Sequence, residues 1–227
     1  MWDDIAVVIG AYILGALPIV YLIGRLRGVD LRDAFDLHLS LWREVGHKEG
    51  FVGITWDILK GVIVVLGVKW AGFSTPTVAC AGLAVVTGEM WSIFYDFRGE
   101  KANTTGLGMA SALAYQALPF GLIPMAAGAI FKLVSSLRQS EVDVHERFHF
   151  SGVAHDVMPL TMALGFLFFP IGSLIMGLAW EITTACAILF VMIMVKRTTA
   201  GLGADLDTAT NKTSVIINRL LYDRSYH

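Results

Sequence analysis

Ile5-Ala-Val-Val-Ile-Gly-Ala-Tyr-Ile-Leu-Gly-Ala-Leu-Pro-Ile-Val-Tyr-Leu-Ile-Gly24 runs for twenty residues without a charge. A helix rises about 1.5 Å per residue, so a run of this length crosses the hydrocarbon core of a bilayer, about 30 Å thick. No water reaches the backbone there, and a helix satisfies its own amides. The stretch reads as a transmembrane span. Asp3 and Asp4 stand where a secretory signal carries basic residues, and no clear cleavage site follows, so a cleaved leader is not expected.

The rest of the chain repeats this pattern. A second apolar run covers 51–71, interrupted by Asp57 and Lys60, and a third covers 77–97, with Glu89 near its end. The run 104–131 is too long for one upright helix and holds Pro119 and Pro124, so it divides near 118–120 into spans 104–118 and 120–134. Spans 156–171 and 173–195 complete the set. The expected fold is all-α: one polytopic membrane domain, a bundle of seven transmembrane helices. Composition agrees, since only 16% of residues are charged against about 25% in soluble domains, and mean hydropathy is +0.65. A net charge of −2 gives no reason to expect a nucleic-acid partner. Cys80 and Cys186 lie inside apolar runs, without the spacing of a metal site, and no metal or cofactor is expected.

Charge placement tests the count of seven. Loops then alternate sides, so 25–50, 98–103 and 135–155 share a side with the tail 196–227. Arg25, Arg27, Arg32, Arg43 and Lys48 fall in the first of these, and Arg98 and Lys101 in the second. Lys132, Arg138 and Arg147 lie in or beside the third, and Lys196, Arg197, Lys212, Arg219 and Arg224 in the tail. Only Lys60 and Lys69 of the 17 basic residues fall elsewhere. The positive-inside rule makes that side cytoplasmic and the N-terminus external. The tail also carries Val215-Ile-Ile217 and Leu220-Leu221 beside Arg219, an amphipathic patch suited to the inner membrane surface.

Ionisable residues within a span are costly and call for a role. Asp57 and Lys60 share a helix face, either as an internal ion pair locking helices or as a substrate contact. Glu89 is alone in sequence and expected to face water, Arg98 or Lys101. The turn Phe97-Arg-Gly-Glu-Lys-Ala-Asn-Thr-Thr-Gly-Leu-Gly108 joins two spans. Gly99 permits a backbone turn, Arg98 and Lys101 bring positive charge, and Asn103, Thr104 and Thr105 are candidate caps for the next helix. A helix N-terminus with hydroxyls and a lysine suits a phosphate, though the same residues also make an ordinary loop.

The order of these blocks resembles the bacterial membrane acyltransferases that move a fatty acyl group from acyl-phosphate to glycerol 3-phosphate. That family carries Gly-Ser-Ile-Pro in its first helix, then Asp-x-x-Lys-Gly, Gly-His, and Phe-Lys-Gly-Gly-Lys-Gly-x-Ala-Thr. It ends on His-x-x-Asn-Ile-x-Arg-Leu. The counterparts here are Gly15-Ala-Leu-Pro18, Asp57-Ile-Leu-Lys60-Gly61, Gly88-Glu89, Phe97-Arg-Gly-Glu-Lys-Ala-Asn-Thr-Thr105 and Ile217-Asn-Arg-Leu220. The likeness is strongest over residues 10–115.

The resemblance implies acyl transfer in phospholipid synthesis. Lys101 and Arg43 would be the catalytic anion clamps. Arg98, Gly99, Thr104, Thr105, Glu89, Asp57, Lys60 and Arg219 would bind substrate. The implied partners are acyl-phosphate, glycerol 3-phosphate or a similar small anion, and the bilayer. The active face would be cytoplasmic. No Ser/His/Asp triad is present, so electrostatics would carry the reaction.

The departures are specific. The family's loop block Ser-Gly-Asn-Pro-Gly-Ala-Thr-Asn is replaced by Asp33-Ala-Phe-Asp-Leu-His-Leu-Ser40, leaving Arg43. Its Gly-His becomes Gly88-Glu89 and a glycine of its basic turn becomes Glu100. The tail His and Asn fall near Thr213 and Ile216, and a loop serine near Ser151. These losses leave open a non-catalytic lipid-binding or scaffold protein. A small transporter would rest on Asp57, Lys60 and Glu89 alone.

Overall fold

A computed structural model describes residues 1–32, 37–138 and 153–223. The block 33–36, most of the loop 135–155 with Arg147 and Ser151, and Arg224 lie outside the described residues. The chain forms two compact units: Met1–Tyr115 with Leu178–Leu189, and Gln116–Gly177 with Phe190–His227.

The first unit opens with α1 (Trp2–Ala16) and α2 (Ile19–Leu26), separated at Leu17 and Pro18. Pro18 has no N–H to donate and starts the second helix rather than continuing the first. The predicted span 5–24 is therefore one apolar rod with a break. After a short helix α3 (Leu37–Ser40) and a wide π-helical turn Leu41–Val45, α4 (His47–Trp70) and α5 (Thr75–Met90) follow. They run antiparallel, because Lys60 meets Glu89 near one end and Val65 lies by Gly82 further along. The α1 and α5 helices run parallel. Thr77 Oγ1 donates to Asp4 Oδ1 at 2.8 Å at one end, and Tyr12 Oη donates to the Trp91 carbonyl at 2.7 Å toward the other. Gly15 and Gly88 allow this crossing, since a Cβ at either would strike backbone of the opposite helix. The short α6 (Asn103–Leu113) packs on α4 and α5.

In the second unit, α7 (Leu118–Arg138) packs antiparallel on α8 (Val153–Ile175). Phe169 fits over Gly121 at one level and Thr161 over Gly128 at another. The helix α9 (Trp180–Thr199) is divided between the units at Leu189. Then come α10 (Leu202–Thr208) and α11 (Lys212–Tyr222), the latter packed on α8.

Six helical stretches among the described residues are long and apolar enough to cross a membrane. They are Trp2–Leu26, His47–Trp70, Thr75–Tyr95, Tyr115–Ser135, Val157–Ile175 and Trp180–Thr199. The predicted span 104–118 is α6, 11 residues or about 16 Å long, half of what an upright crossing needs. The break falls at 114–117, ahead of the predicted 118–120, so Pro119 sits in the tolerant first turn of α7. The boundary predicted at 172 also moves. Helix α8 continues through Pro170 and Gly172 until Gly177, whose φ of 64° supplies a left-handed stop. Trp180 and Glu181, which read as a weak start, begin α9.

The amphipathic patch of the tail is α11. Asn211 Oδ1 caps it by accepting from the Thr213 and Ser214 amides at 3.1 and 3.2 Å. Val215 and Arg219 are buried while Ile216, Ile217 and Leu220 are exposed.

Candidate functional site

One end of the first unit gathers the chemistry. The end of α1, the start of α2, the N-terminal half of α4, the end of α5 and the turn before α6 surround a small cavity. Asp57, Lys60, Glu89, Ser92, Tyr95, Gly99 and Glu100 line it, with backbone and apolar atoms of 15–21 and Leu37. Its volume is about 30 Å³, room for one or two waters.

Asp57 and Lys60 are each 2% exposed and pair at 2.6 Å, one helical turn apart. Lys60 Nζ also reaches Glu89 Oε2 at 3.1 Å. The expectation that Glu89 would face Arg98, Lys101 or water is therefore corrected. The antiparallel register of α4 and α5 sets it against Lys60, a contact between helices that linear spacing does not show. Asp57 Oδ2 in turn takes His38 Nε2 at 2.9 Å, and His38 Nε2 stands 3.2 Å from Glu100 Oε2. Burial opposes charge on the His38 ring, but the carboxylates of Glu100 and Asp57, with Glu89 beyond, hold its pKa up at about 9. The ring stays an imidazolium at neutral pH.

His38 was missed as a site residue by sequence reasoning. It lies in the loop that departs from the family, where no spacing links it to α4. A buried apolar cluster of Val20, Tyr21, Leu31 and Leu41 holds this loop against the helices. Tyr21 Oη accepts from Arg25 Nη1 at 2.9 Å and Arg32 Nη2 at 3.0 Å, while Tyr95 Oη donates to the Arg32 carbonyl at 3.0 Å. The two tyrosine rings meet edge to face at 5.3 Å. Arginines of the first loop are thus anchored at the rim of the cavity through Tyr21.

The basic turn is built differently from the expectation. Gly99 is needed for close approach: a Cβ there would strike the Glu89 carbonyl, which is backbone and has no rotamer to yield. The left-handed residues of this turn are Asp96, Phe97 and Ala102. Ser92 ties the turn to α1, its Oγ donating to the Ala16 carbonyl at 2.5 Å. Gly99→Ala should therefore destabilise the protein by about 1–3 kcal/mol, the range for overpacking. Thermal unfolding in detergent tests this, and an unchanged midpoint would refute the packing argument.

The residue preceding α6 is Ala102, with φ 55° and no side-chain cap. Asn103, Thr104 and Thr105 do not cap the helix as expected. They are its first three residues, and buried Thr105 Oγ1 donates to the Asp57 carbonyl at 2.8 Å, pinning α6 to α4. Ala102 offers the first amides of α6 no side-chain cap, directly after Lys101.

The structure brings Asp57, Lys60, Glu89, Gly99 and Thr105 together. Among the described residues Lys101, Thr104, Arg98 and Arg43 do not line the cavity. Lys101 and Thr104 are half-buried, Arg98 is exposed on the same turn, and Arg43 is exposed on the π-helical turn. Arg219 belongs to the second unit, where its Nε donates to Asp205 Oδ2 at 2.9 Å and its Nη1 to the Ala200 carbonyl.

Comparison with known proteins places these features in a wider set. The family model described as glycerol-3-phosphate acyltransferase matches residues 5–202. A glycerol-3-phosphate acyltransferase of Trichlorobacter lovleyi (strain ATCC BAA-1151 / DSM 17278 / SZ) is 40% identical over 108 residues. That match takes in 46% of this chain and spans little more than half of the relative, 56%. Glycerol-3-phosphate acyltransferase 4 of Dehalococcoides mccartyi (strain CBDB1) is 26% identical over 225 residues, 94% of this chain and 85% of that one. In fold, the chain is similar to the lysphosphatidic acid form of PlsY (YgiH), an integral membrane glycerol 3-phosphate acyltransferase. The TM-score is 0.70 at 21% identity, covering 99% of this chain and 94% of that one.

Proposed function

This chain belongs to the glycerol-3-phosphate acyltransferase family, and we propose that it transfers a fatty acyl group from acyl-phosphate to glycerol 3-phosphate in phospholipid synthesis. The observation that carries the reading is the start of α6, where Lys101 immediately precedes a helix N-terminus with no side-chain cap. Amide N–H groups and a lysine at one point suit a phosphate dianion. Arg43 and Arg98, both exposed, add positive charge for a second anionic group.

In the reaction a glycerol hydroxyl oxygen attacks the acyl carbonyl carbon. The new C–O ester bond forms as the acyl C–O bond to phosphate breaks, and inorganic phosphate leaves with the hydroxyl proton. Lys101 and the α6 amides hold the substrate phosphate and stabilise charge as it moves onto the leaving group. The buried Asp57–Lys60–Glu89 cluster fixes α4 against α5 and so positions that turn. Phosphate release from acyl-phosphate by purified protein, measured with and without glycerol 3-phosphate, tests this. Release that depends on the acceptor supports the reading, and none under either condition opposes it.

The chain sits in the cell membrane with its active face cytoplasmic. Counting α6 as a seventh pass sorts the basic residues to the side that holds the turn at Lys101. It puts the N-terminus outside and the C-terminus inside. In a background lacking Cys80 and Cys186, an impermeant thiol reagent applied to intact cells should label Trp2→Cys and miss Arg43→Cys and Arg219→Cys. Labelling at position 43 would overturn this orientation.

A further inference from the structure

Two of this chain's departures from the acyltransferase motif are charged, opposite in sign and far apart in sequence: His38 in the first loop and Glu100 in the basic turn. In the structure they meet, with His38 Nε2 3.2 Å from Glu100 Oε2. The pair is mostly shielded, the two side chains being 15% and 19% exposed. Salt and water weaken such a pair less than one on an open surface.

The ring is also held from the helix side. The same Nε2 lies 2.9 Å from Asp57 Oδ2, and Asp57 in turn pairs with Lys60 at 2.6 Å. Gly53, one turn before Asp57 on α4, keeps the helix surface low where the loop seats. A Cβ there would lie 3.2 Å from Leu41 Cδ2 and 3.6 Å from His38 Nδ1. Leu41 is itself fully buried in the apolar cluster with Val20, Tyr21 and Leu31. His38 thus stands between α4 and the basic turn, where the first loop meets both.

The pair joins the two basic segments of the proposed site. Glu100 is next to Lys101, on a turn that Gly99 packs against the Glu89 carbonyl. His38 lies on α3, which runs directly into the π-helical turn that carries Arg43. Tyr95 makes a second tie between the same regions by donating to the Arg32 carbonyl at 3.0 Å. The family motif has Ser-Gly-Asn-Pro-Gly-Ala-Thr-Asn and a glycine at the positions of the loop block and Glu100. Neither can form an ion pair, so this tie belongs to this chain's own version of the site.

We propose that His38 is a positioning residue for acyl transfer: its ion pair with Glu100 fixes the loop segment that carries Arg43 relative to the turn that carries Lys101. Its effect on rate rests on the acyltransferase reading, whereas the tie itself rests on the contacts at His38. Burial disfavours charge on the ring, yet Glu100 and Asp57 hold its pKa at about 9, so the pair is attractive at neutral pH. Misplacing a binding group by about 1 Å can cost about a hundredfold in rate, which gives a strut at this place kinetic weight.

Glu100 and Asp57 each have a partner besides His38, so a double-mutant cycle isolates the pair. Full-length protein in one detergent carries His38→Gln, Glu100→Gln or both, with rates scaled to folded protein. Each single substitution should lower kcat/KM for glycerol 3-phosphate by about ten- to a hundredfold through a raised KM, which a smaller folded fraction alone would not move. The double variant should be no worse than the poorer single one. Hydrogen exchange reads the strut without turnover. Glu100→Gln should speed exchange of amides in 37–45, and His38→Gln that of amides in 97–102, by about tenfold. Glu49→Gln, which breaks the 2.8 Å pair with Arg27, should change neither KM nor exchange in 97–102. Unchanged KM, losses that multiply in the double variant, or no effect of Glu100→Gln on exchange in 37–45 overturns the proposal. The last of these decides even if His38→Gln fails to fold. Wild type without turnover refutes the acyltransferase reading, and the exchange result then still decides whether the strut exists.

Discussion

Lys60→Met should lower the unfolding free energy by about 3–5 kcal/mol, the scale for removing one partner of a buried ion pair. Lys60 is 2% exposed, and its ammonium touches both Asp57 and Glu89. Methionine replaces the stem of the side chain but none of the charge, so two carboxylates lose their shared cation at the wall of a cavity with room for only one or two waters. Asp57→Asn should cost less, because Lys60 keeps Glu89 and His38 keeps Glu100. Glu89→Gln added to Lys60→Met should recover part of the loss by removing one of the stranded charges. Chemical unfolding in a fixed detergent measures all of these. Equal stability of Lys60→Met and wild type would show that the pair is hydrated and the burial argument wrong.

Lys101→Ala should reduce acyl transfer by about a hundredfold or more, the effect of removing one well-placed donor that acts in the transition state. Thermal stability separates this from a structural role. Lys101 is half-buried on the turn before α6, and a loss of rate far larger than any loss of stability identifies the clamp. A lysine that merely extends along the interface would leave the rate nearly unchanged. Full activity in Lys101→Ala would remove the anion clamp from the account.

The helical membrane fold was legible because its signal is local. Twenty uncharged residues at 5–24 need no partner to be read, and neither does the proline-marked division of 104–131. What failed was position: Gly177 rather than Gly172 ends α8, since glycine stops a helix where the backbone turns left-handed and 172 does not. The charge pattern suggested seven passes, but length alone could not show that α6 is held on α4 by Thr105 and spans only 11 residues. At the site, Asp57 with Lys60 was readable because a helix puts residues three apart on one face. Glu89 against Lys60 and His38 against Asp57 were not, since each pair exists only once helices and the first loop have packed. Glu100 read as a damaged motif in sequence, and its meeting with His38 in space gives it chemistry of its own.

Acyl transfer itself is the most direct measurement of the central claim. Purified protein in liposomes is supplied with acyl-phosphate and glycerol 3-phosphate, and lipid products are identified by mass spectrometry. The account predicts an acylated glycerol phosphate that forms with wild type and falls by about a hundredfold with Lys101→Ala. Intact acyl-phosphate and no acylated glycerol phosphate, from protein that is folded and oriented in the bilayer, would contradict it.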